Sequence, residues 1–296
     1  MDARVEPMVG TRPPCEITAP ADQTAPLVFA SPHSGADYPP EFVAISKLDA
    51  LALRRSEDAF VDEIFAAAPH FGAPLLRARF PRAYVDPNRE AFELDPAMFE
   101  DELPDYVNST SPRVAAGLGT VARVVATGAE IYRHKLRFGE ALDRIDRLYR
   151  PYHDALESLV RTTRERFGTC LLIDCHSMPS VGGPMDRDPG RNRVDFVLGD
   201  AFGASCAPEI TDSVQHFLEC KGYVVTRNAP YAGGFTTRHY GRPFVGVHAL
   251  QIEINRSLYM CERSYERRPY LATLADHMGD LMGLLAALPL RAEAAE

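Results

Sequence analysis

Short apolar segments alternate with amphipathic segments along the first third of the chain. The segments PLVFASPHSG and APLLRARFPRAYVDPNRE each contain an apolar run followed by a polar turn, a pattern typical of a buried strand. Between them, SKLDALALRRSEDAFVDEIFAAAPHFG has helical spacing in its second half and closes at Gly72. This order of strand, helix and strand predicts a sheet covered by helices.

The same alternation continues to the carboxyl end. The stretch from GAEIY to RERFG has apolar side chains at three- and four-residue steps and predicts helix. Strands are predicted for TCLLIDCHS, VDFVLGD, YVVTRN and GVHALQIEINR, and helices for ITDSVQHFLECKG and YLATLADHMGDLMGLLAAL. The sequence shows neither an internal repeat nor a low-complexity linker. We therefore predict a single α/β domain.

Length and composition agree with one large domain. A chain of 296 residues, 46% of them hydrophobic, is long enough to bury a sizeable core. The first part is rich in Pro, Thr and Ala, so we predict a flexible arm over residues 1–25 and the folded domain over residues 26–290. The six cysteines are scattered without a CxxC pair, which indicates reduced thiols rather than a disulfide framework.

The charge balance and the hydropathy pattern exclude some partners. Lys and Arg number 32 against 41 Asp and Glu, a formal net charge of -9, which argues against binding nucleic acid. No apolar run approaches the roughly 18 residues of a membrane span, and the N-terminus lacks the basic-then-apolar pattern of a secretion signal. We predict a cytoplasmic protein that binds neither nucleic acid nor membrane. The sequence leaves the oligomeric state open.

Two predicted strands end at histidines. His33 follows the apolar run of PLVFASPHSG and His176 follows that of TCLLIDCHS, and α/β proteins gather their sites at the carboxyl ends of strands. Imidazole is the commonest zinc ligand, and a catalytic zinc site takes three protein ligands. Glu57 and Asp58 in RRSEDAF offer the third. A lone histidine is more often an ordinary surface or core residue, but two at strand ends beside an acidic pair favour a metal site.

Other groups near these strand ends suggest supporting roles. Asp174 lies two positions before His176 and faces the same way, which suits either a hydrogen bond that orients the imidazole or a salt bridge at a strand end. Cys175 faces the opposite way and is predicted to be a buried structural thiol. Glu253 lies between apolar neighbours in QIEIN, so it either pairs with a cation or has a raised pKa that suits a general base.

Two polar segments offer groups for binding a substrate. Asn88 and Arg89 follow a strand in DPNRE, where the guanidinium either clamps a carboxylate or only fixes the loop. The segment YAGGFTTRHYGRP combines two glycines with hydrogen-bond donors that include Thr236 and Arg238. It is too irregular for a phosphate-binding loop and does not open a helix, so we predict a mobile substrate-binding loop.

Six motifs, taken in order, resemble the N-formylglutamate amidohydrolase family over roughly residues 27–285: SPHSG, SEDAFVDEIF, FPRAYVDPNRE, IDCHSMPS, NAPYAGGFTTRHYGRP and GVHALQIEINRSLYM. The resemblance implies a mixed central sheet flanked by helices, as in the zinc carboxypeptidases and the aspartoacylase group. It also implies a Zn²⁺ cofactor and hydrolysis of a small acidic substrate, N-formyl-L-glutamate, to formate and glutamate.

The resemblance further implies roles for individual residues. The metal ligands would be His33, His176 and a carboxylate in SED, where the family's acidic position favours Asp58 over Glu57. The other implied roles are the general base, at Glu253, and the carboxylate-binding Asn-Arg pair of the carboxypeptidase relatives, at Asn88 and Arg89.

Two other functions fit the same motifs. A related hydrolase of another N-acyl amino acid would keep the metal and the base, and would differ in the pocket that YAGGFTTRHYGRP builds. A non-catalytic, metal-dependent binder of small acids would bind acyl amino acids without consuming them. Turnover of a panel of N-acyl amino acids distinguishes these functions.

Overall fold

Seven strands form one sheet in the computed structural model, which describes residues 12–184, 186 and 188–289. The strands are β1 Cys15–Thr18, β2 Leu27–Ser31, β3 Leu75–Ala78, β4 Cys170–Met178, β5 Phe196–Gly199, β6 Val225–Arg227 and β7 Val247–Asn255. The α-helices are α1 Pro40–Ile45, α2 Ala50–Leu53, α3 Val61–Ile64, α4 Pro112–Ala115, α5 Phe138–Arg144, α6 Arg150–Phe167, α7 Pro208–Cys220, α8 Phe235–Tyr240 and α9 Tyr270–Ala287. A π-helical turn, Ile145–Tyr149, joins α5 to α6, and short 3-10 turns cover Arg54–Ser56, Ala68–Phe71, Pro96–Met98, Pro243–Val245 and Arg256–Leu258.

The sheet is mixed, as predicted. Its strand order is β1-β3-β2-β4-β7-β5-β6. The central strands β3, β2, β4 and β7 run parallel, β1 joins antiparallel to β3, and β5 joins antiparallel to β7 and parallel to β6. The carboxyl ends of β2, β4 and β7 therefore meet at one edge, which is where the candidate site forms.

Apolar side chains cover both faces of the central strands. One face packs against α3, α7 and α9, and it includes Cys175, which is buried as predicted. The other face packs against the π-helical turn and α6 along the first half of β4 and β7, at Cys170, Leu172 and Ala249. Continuous apolar runs are expected where a parallel sheet is covered by helices on both sides.

The predicted N-terminal arm is partly ordered. Residues 1–11 lie outside the described residues, but Cys15–Thr18 pairs with β3 as an antiparallel edge strand. We predicted no strand there, because four residues that are half-buried or exposed give little apolar signal. The boundary of the folded domain at residue 26 therefore excludes a strand of the sheet.

Two predictions about helices need correction. The helix predicted before Gly72 is divided into α3 and a 3-10 turn, since Phe60 begins it with a left-handed φ of 66° and Pro69 interrupts it. The segment YAGGFTTRHYGRP, predicted not to open a helix, contains α8. Tertiary contacts hold this short helix, as described below. Among the described residues, no helix has the length and apolar character needed to cross a membrane.

Candidate active site

The cluster forms where β4 and β7 turn from apolar to polar. On the face that packs against α6, β4 continues from Leu172 to Asp174 and His176, while β7 continues from Ala249 to Gln251 and Glu253. The parallel register pairs Asp174 with Gln251 and His176 with Glu253. Side chains that are opposite in register share a face, so the imidazole and the carboxylate are neighbours.

His33, Asp58 and His176 form a compact buried group. Their nearest ligand atoms all lie within 4.8 Å of one another. Asp58 Oδ2 is 2.9 Å from His176 Nδ1 and 3.3 Å from His33 Nδ1. The Asp58 backbone N–H donates to the His33 carbonyl at 3.0 Å, which fixes the chain segment that carries the carboxylate. Two imidazoles and one carboxylate match the donor set of a catalytic zinc site with a fourth position open.

Glu57, the alternative third ligand, is held elsewhere. Its carboxylate accepts a hydrogen bond from Tyr38 Oη at 2.5 Å and another from Arg54 Nε at 2.9 Å. The structure therefore brings Asp58, and not Glu57, to the two histidines.

The outer nitrogen of each imidazole contacts another carboxylate. His33 Nε2 is 2.7 Å from Asp86 Oδ1, and His176 Nε2 is 2.9 Å from Asp174 Oδ1. A carboxylate in this position holds the proton on Nε2, so Nδ1 is the nitrogen that would lose its proton to bind a metal. Burial lowers the pKa of His176, but Asp174 and Asp58 outweigh burial and raise it well above its usual value. The predicted contact between Asp174 and His176 is present in the structure.

Two arginines that we did not predict compensate the buried carboxylates. Arg256 donates to Asp58 Oδ1 at 2.8 Å, and Arg82 donates to Asp86 Oδ2 at 2.7 Å. Burial opposes ionisation of Asp58, but hydrogen bonds from the two histidines and the charge of Arg256 hold its pKa well below the usual range. The only sequence signal for these arginines was that Arg82 lies within the motif FPRAYVDPNRE and Arg256 within GVHALQIEINRSLYM.

Glu253 lies beside this group with an environment suited to a base. Its side chain is buried, and burial raises its pKa to about 7. Gln251 Nε2 donates to Oε1 at 2.9 Å. Glu253 also lines a cavity of about 630 Å³ into which His33 and His176 open.

Asn88 ties the helix α8 to the histidine cluster. Its Oδ1 accepts from the Thr236 backbone N–H at 2.8 Å, which leaves Nδ2 3.1 Å from His176 Nε2. A Cβ on Gly234 would lie 2.3 Å from Asn88 Nδ2, so this approach requires glycine. If His176 Nε2 donates its proton to Asp174, the Asn88 amide hydrogens are available to another acceptor.

Of the other predicted substrate-binding residues, two line the cavity and one does not. Arg89 and Arg238 line the cavity. Arg89 donates through Nε to the Leu118 carbonyl at 2.9 Å, and burial lowers its pKa to about 9. The Thr236 side chain is fully buried, and Thr236 does not line the cavity, so its observed contribution is the backbone bond to Asn88.

Known proteins resemble this chain over most of its length. The sequence pattern of the N-formylglutamate amidohydrolase family matches residues 25–260. An N-formylglutamate deformylase of Pseudomonas putida is 30% identical over 241 residues, which cover 80% of this chain and 82% of the relative. An N-formylglutamate deformylase of Pseudomonas aeruginosa is 30% identical over 243 residues, covering 81% of this chain and 84% of the relative.

A solved structure gives the same result. The crystal structure of N-formylglutamate amidohydrolase from Ralstonia eutropha superposes with a TM-score of 0.85 and 38% identity, covering 92% of this chain and 97% of that one. The residues that match the family pattern, 25–260, include His33, His176 and Glu253. The chain therefore belongs to the N-formylglutamate amidohydrolase family.

Proposed function

We propose that this protein hydrolyses N-formyl-L-glutamate to formate and L-glutamate, with Zn²⁺ held by His33, Asp58 and His176. One observation carries the proposal: the buried His-Asp-His group lies beside Glu253 at the end of a cavity that arginines also line. The relatives named above are N-formylglutamate deformylases and amidohydrolases, which supports the same substrate for this chain.

The residues present fit a resident zinc ion. Asp58 is ionised, and both Nδ1 atoms face its Oδ2, so three ligands of the types that zinc prefers converge. When bound, zinc supplies Lewis-acid chemistry, since it polarises a carbonyl oxygen and makes a water molecule more acidic.

Glu253 moves the proton in this proposal. Because Oε1 already accepts from Gln251, the other oxygen, Oε2, takes a proton from the attacking water. The water oxygen forms a bond to the formyl carbon, the C–N bond breaks, and the same proton passes from Oε2 to the departing amine of glutamate. Burial keeps Glu253 basic enough to accept this proton and acidic enough to release it.

Asn88 and Arg89 bind a substrate carboxylate in this proposal. Asn88 Nδ2 is adjacent to the histidine cluster, and Arg89 lines the cavity with a guanidinium that burial makes readier to pair with an anion. Arg238 reaches the cavity from α8 and remains a proposed substrate contact. Thr236 acts by holding Asn88.

We further propose that the protein is cytoplasmic. No disulfide links any of the six cysteines, all of which lie within the described residues, and this is usual for proteins in a reducing compartment.

Turnover and metal content test the proposed function together. The zinc-loaded protein is incubated with N-formyl, N-acetyl and N-succinyl forms of glutamate, and release of the free amine is followed. We expect rapid release from N-formyl-L-glutamate and about one zinc per chain. The variants His33→Ala and His176→Ala should lose zinc and activity together. Full zinc content in both variants would refute the site, and faster release from another acyl group would reassign the substrate.

A further inference from the structure

Two of the arginines that line the cavity are neutralised by the protein itself. Arg256 donates to Asp58 and Arg82 donates to Asp86, each through a hydrogen bond shorter than 3 Å. These pairs belong to the metal end of the cavity. They leave Arg89, Arg113 and Arg238 as the other arginines in the described part of the lining.

Arg89 and Arg113 lie side by side. Their NH1 groups both donate to the carbonyl oxygen of Asn88, at 2.7 Å for Arg89 and 3.4 Å for Arg113. Two guanidinium groups that share one acceptor repel each other, and the repulsion is strong where water is scarce. Burial lowers the pKa of both side chains, and the charge of Arg113 lowers that of Arg89 further.

The protein supplies little negative charge to this pair. Arg89 NH2 is 3.5 Å from Asp86 Oδ2, but that carboxylate also accepts from Arg82. No carboxylate among the described residues lies within 4.0 Å of the Arg113 guanidinium. The charges of Asp86 and Glu93 favour the ionised form of Arg113, but burial outweighs them and lowers its pKa, and neither carboxylate forms a close ion pair with it. A partly buried guanidinium without a close ion pair is costly, and an entering carboxylate would reduce that cost.

The two arginines are placed for different carboxylates of one substrate. Arg89 is adjacent to the metal end, through Asp86 and through Asn88, which lies 3.1 Å from the His176 ring. Arg113 reaches the Asn88 carbonyl only at 3.4 Å, and among the described residues it has no contact with Asp86 like that of Arg89. The α-carboxylate of an N-formyl amino acid is attached to the carbon that carries the reacting amide nitrogen. The side-chain carboxylate of glutamate lies two carbons farther out.

Arg113 is also better placed than Arg238 for this second carboxylate. Arg238 is exposed, and its Nε donates to the Gly233 carbonyl at 3.3 Å. Arg113 is partly buried in α4, whose N-terminus is capped by Ser111 Oγ accepting from the Val114 N–H at 3.1 Å. A cation that is less hydrated and better fixed discriminates more strongly between a carboxylate and a neutral group.

We propose that Arg113 determines substrate specificity by binding the side-chain carboxylate, while Asn88 and Arg89 bind the α-carboxylate. This inference rests on the proposed function. It assigns to Arg113 the distinction between N-formyl-L-glutamate and N-formyl amino acids with a neutral side chain.

The test compares two substrates of nearly the same shape. N-formyl-L-glutamate carries the second charge, and N-formyl-L-glutamine replaces it with an amide. For Arg113→Gln we expect kcat/KM for the glutamate substrate to fall about 30-fold or more, the size of effect expected when a charge-assisted hydrogen bond is lost. The value for the glutamine substrate should change less than about threefold, because an amide gains little from a nearby charge. Arg113→Lys should recover part of the discrimination.

A matched control removes one positive charge away from the cavity. Arg147 is exposed, pairs with Asp143 on the helical surface and does not line this cavity. Arg147→Gln should leave both substrates unchanged. Zinc content and melting temperature are measured for every variant, so that misfolding is recognised. If Arg113→Gln misfolds, kcat/KM for the two substrates is compared between the native protein and Arg113→Lys instead.

Three results would overturn the role of Arg113. They are equal losses on the two substrates, no loss on either, and a selective loss in Arg238→Gln without one in Arg113→Gln. If the native protein hydrolyses neither formyl substrate, the proposed function is wrong. The role of Arg113 is then tested by calorimetric titration with L-glutamate and L-glutamine. Weaker binding of glutamate alone in Arg113→Gln would then support the inference. Equal binding in the two proteins, or no binding of glutamate to the native protein, would overturn it.

Discussion

Replacing Glu253 with glutamine tests the proposed base with little structural disturbance. Glutamine has nearly the same size, and its amide oxygen can accept the 2.9 Å hydrogen bond that Gln251 donates to Oε1. The other terminal atom becomes an NH₂ group, which cannot take a proton from water. The variant thus removes one chemical capacity and keeps the surrounding packing.

The expected loss follows from the protonation state of the native residue. Burial raises the pKa of Glu253 to about 7, and a nearby bound cation would lower it. At about pH 8 the native side chain is therefore mostly ionised with or without zinc. General base catalysis commonly contributes about 100-fold to 10,000-fold, or about 3 to 5 kcal/mol of barrier, and Glu253→Gln should lose an amount in this range.

The assay separates catalysis from binding and folding. Formate release from N-formyl-L-glutamate is coupled to formate dehydrogenase, zinc per chain is measured by atomic emission, and substrate binding to the variant is measured by calorimetry. Glu57→Gln is the matched control. Burial raises the pKa of Glu57 too, but its carboxylate is bound to Tyr38 and Arg54 and does not line the cavity.

We expect Glu253→Gln to keep its fold, zinc and substrate binding while turnover falls, and Glu57→Gln to keep turnover. A Glu253→Gln protein that works at the native rate would show that another group is the base. A variant that loses zinc or unfolds would show instead that Glu253 has a structural role. A native protein that binds acyl amino acids without consuming any would be a binder and not an enzyme.

Three further predictions concern the ligand set, the carboxylate clamp and pH. Asp58→Ala should lower zinc per chain after dialysis far more than Glu57→Ala, and the reverse result would reassign the third ligand. Arg89→Lys keeps the charge but loses the planar fork, so KM for N-formyl-L-glutamate should rise about tenfold with zinc retained; unchanged kinetics would leave Arg89 with only a loop-fixing role. Both ring nitrogens of His153 are hydrogen-bonded, and burial lowers its pKa from 6.5 to about 4. The unfolded chain therefore binds this proton first as pH falls, and stability drops across the window from 6.5 to 4. In denaturant titrations, the free energy of unfolding of the native protein should fall by up to about 3 kcal/mol more than that of His153→Gln between these pH values. If the free energy of unfolding of the two proteins changed equally with pH, a buried neutral ring would be contradicted.

The sequence predicted the parts of the fold whose signal is local. β4 begins as a long apolar run and β7 alternates apolar with polar residues, and His33 and His176 could be recognised because each follows an apolar run. β1 was missed, since its four residues gain their order from pairing with β3 rather than from their own pattern. The helix α8 was missed for a similar reason. Six residues after two glycines form a marginal helix alone, and here the contact between Thr236 and Asn88 holds it.

The sequence predicted that His33, Asp58 and His176 come together, but it did not predict the charge compensation around them. Which of two adjacent carboxylates meets the histidines depends on a single 3-10 turn, Arg54–Ser56, and on the partners that hold Glu57. Arg256 and Asp58 are 198 residues apart in the sequence, and no sequence pattern predicts a contact between residues so far apart. Arg113 lies in a four-residue helix without a motif of its own. Only the folded structure shows that Arg113 and Arg89 donate to the same carbonyl oxygen, that of Asn88.

The register of β7 against β4 connects the packing of the sheet to its chemistry. Ile252 and Ile254 point into the apolar core on one face, so Glu253 between them must point to the other, beside His176. A slip of one residue would exchange the faces, putting a carboxylate into the apolar core and an isoleucine into the cavity. The core thus holds Glu253, the proposed base, beside the proposed metal ligands, and the same burial raises its pKa. We infer that substitutions which weaken the packing of Ile252 or Ile254 would reduce turnover before they unfold the protein, because the base would lose its position first.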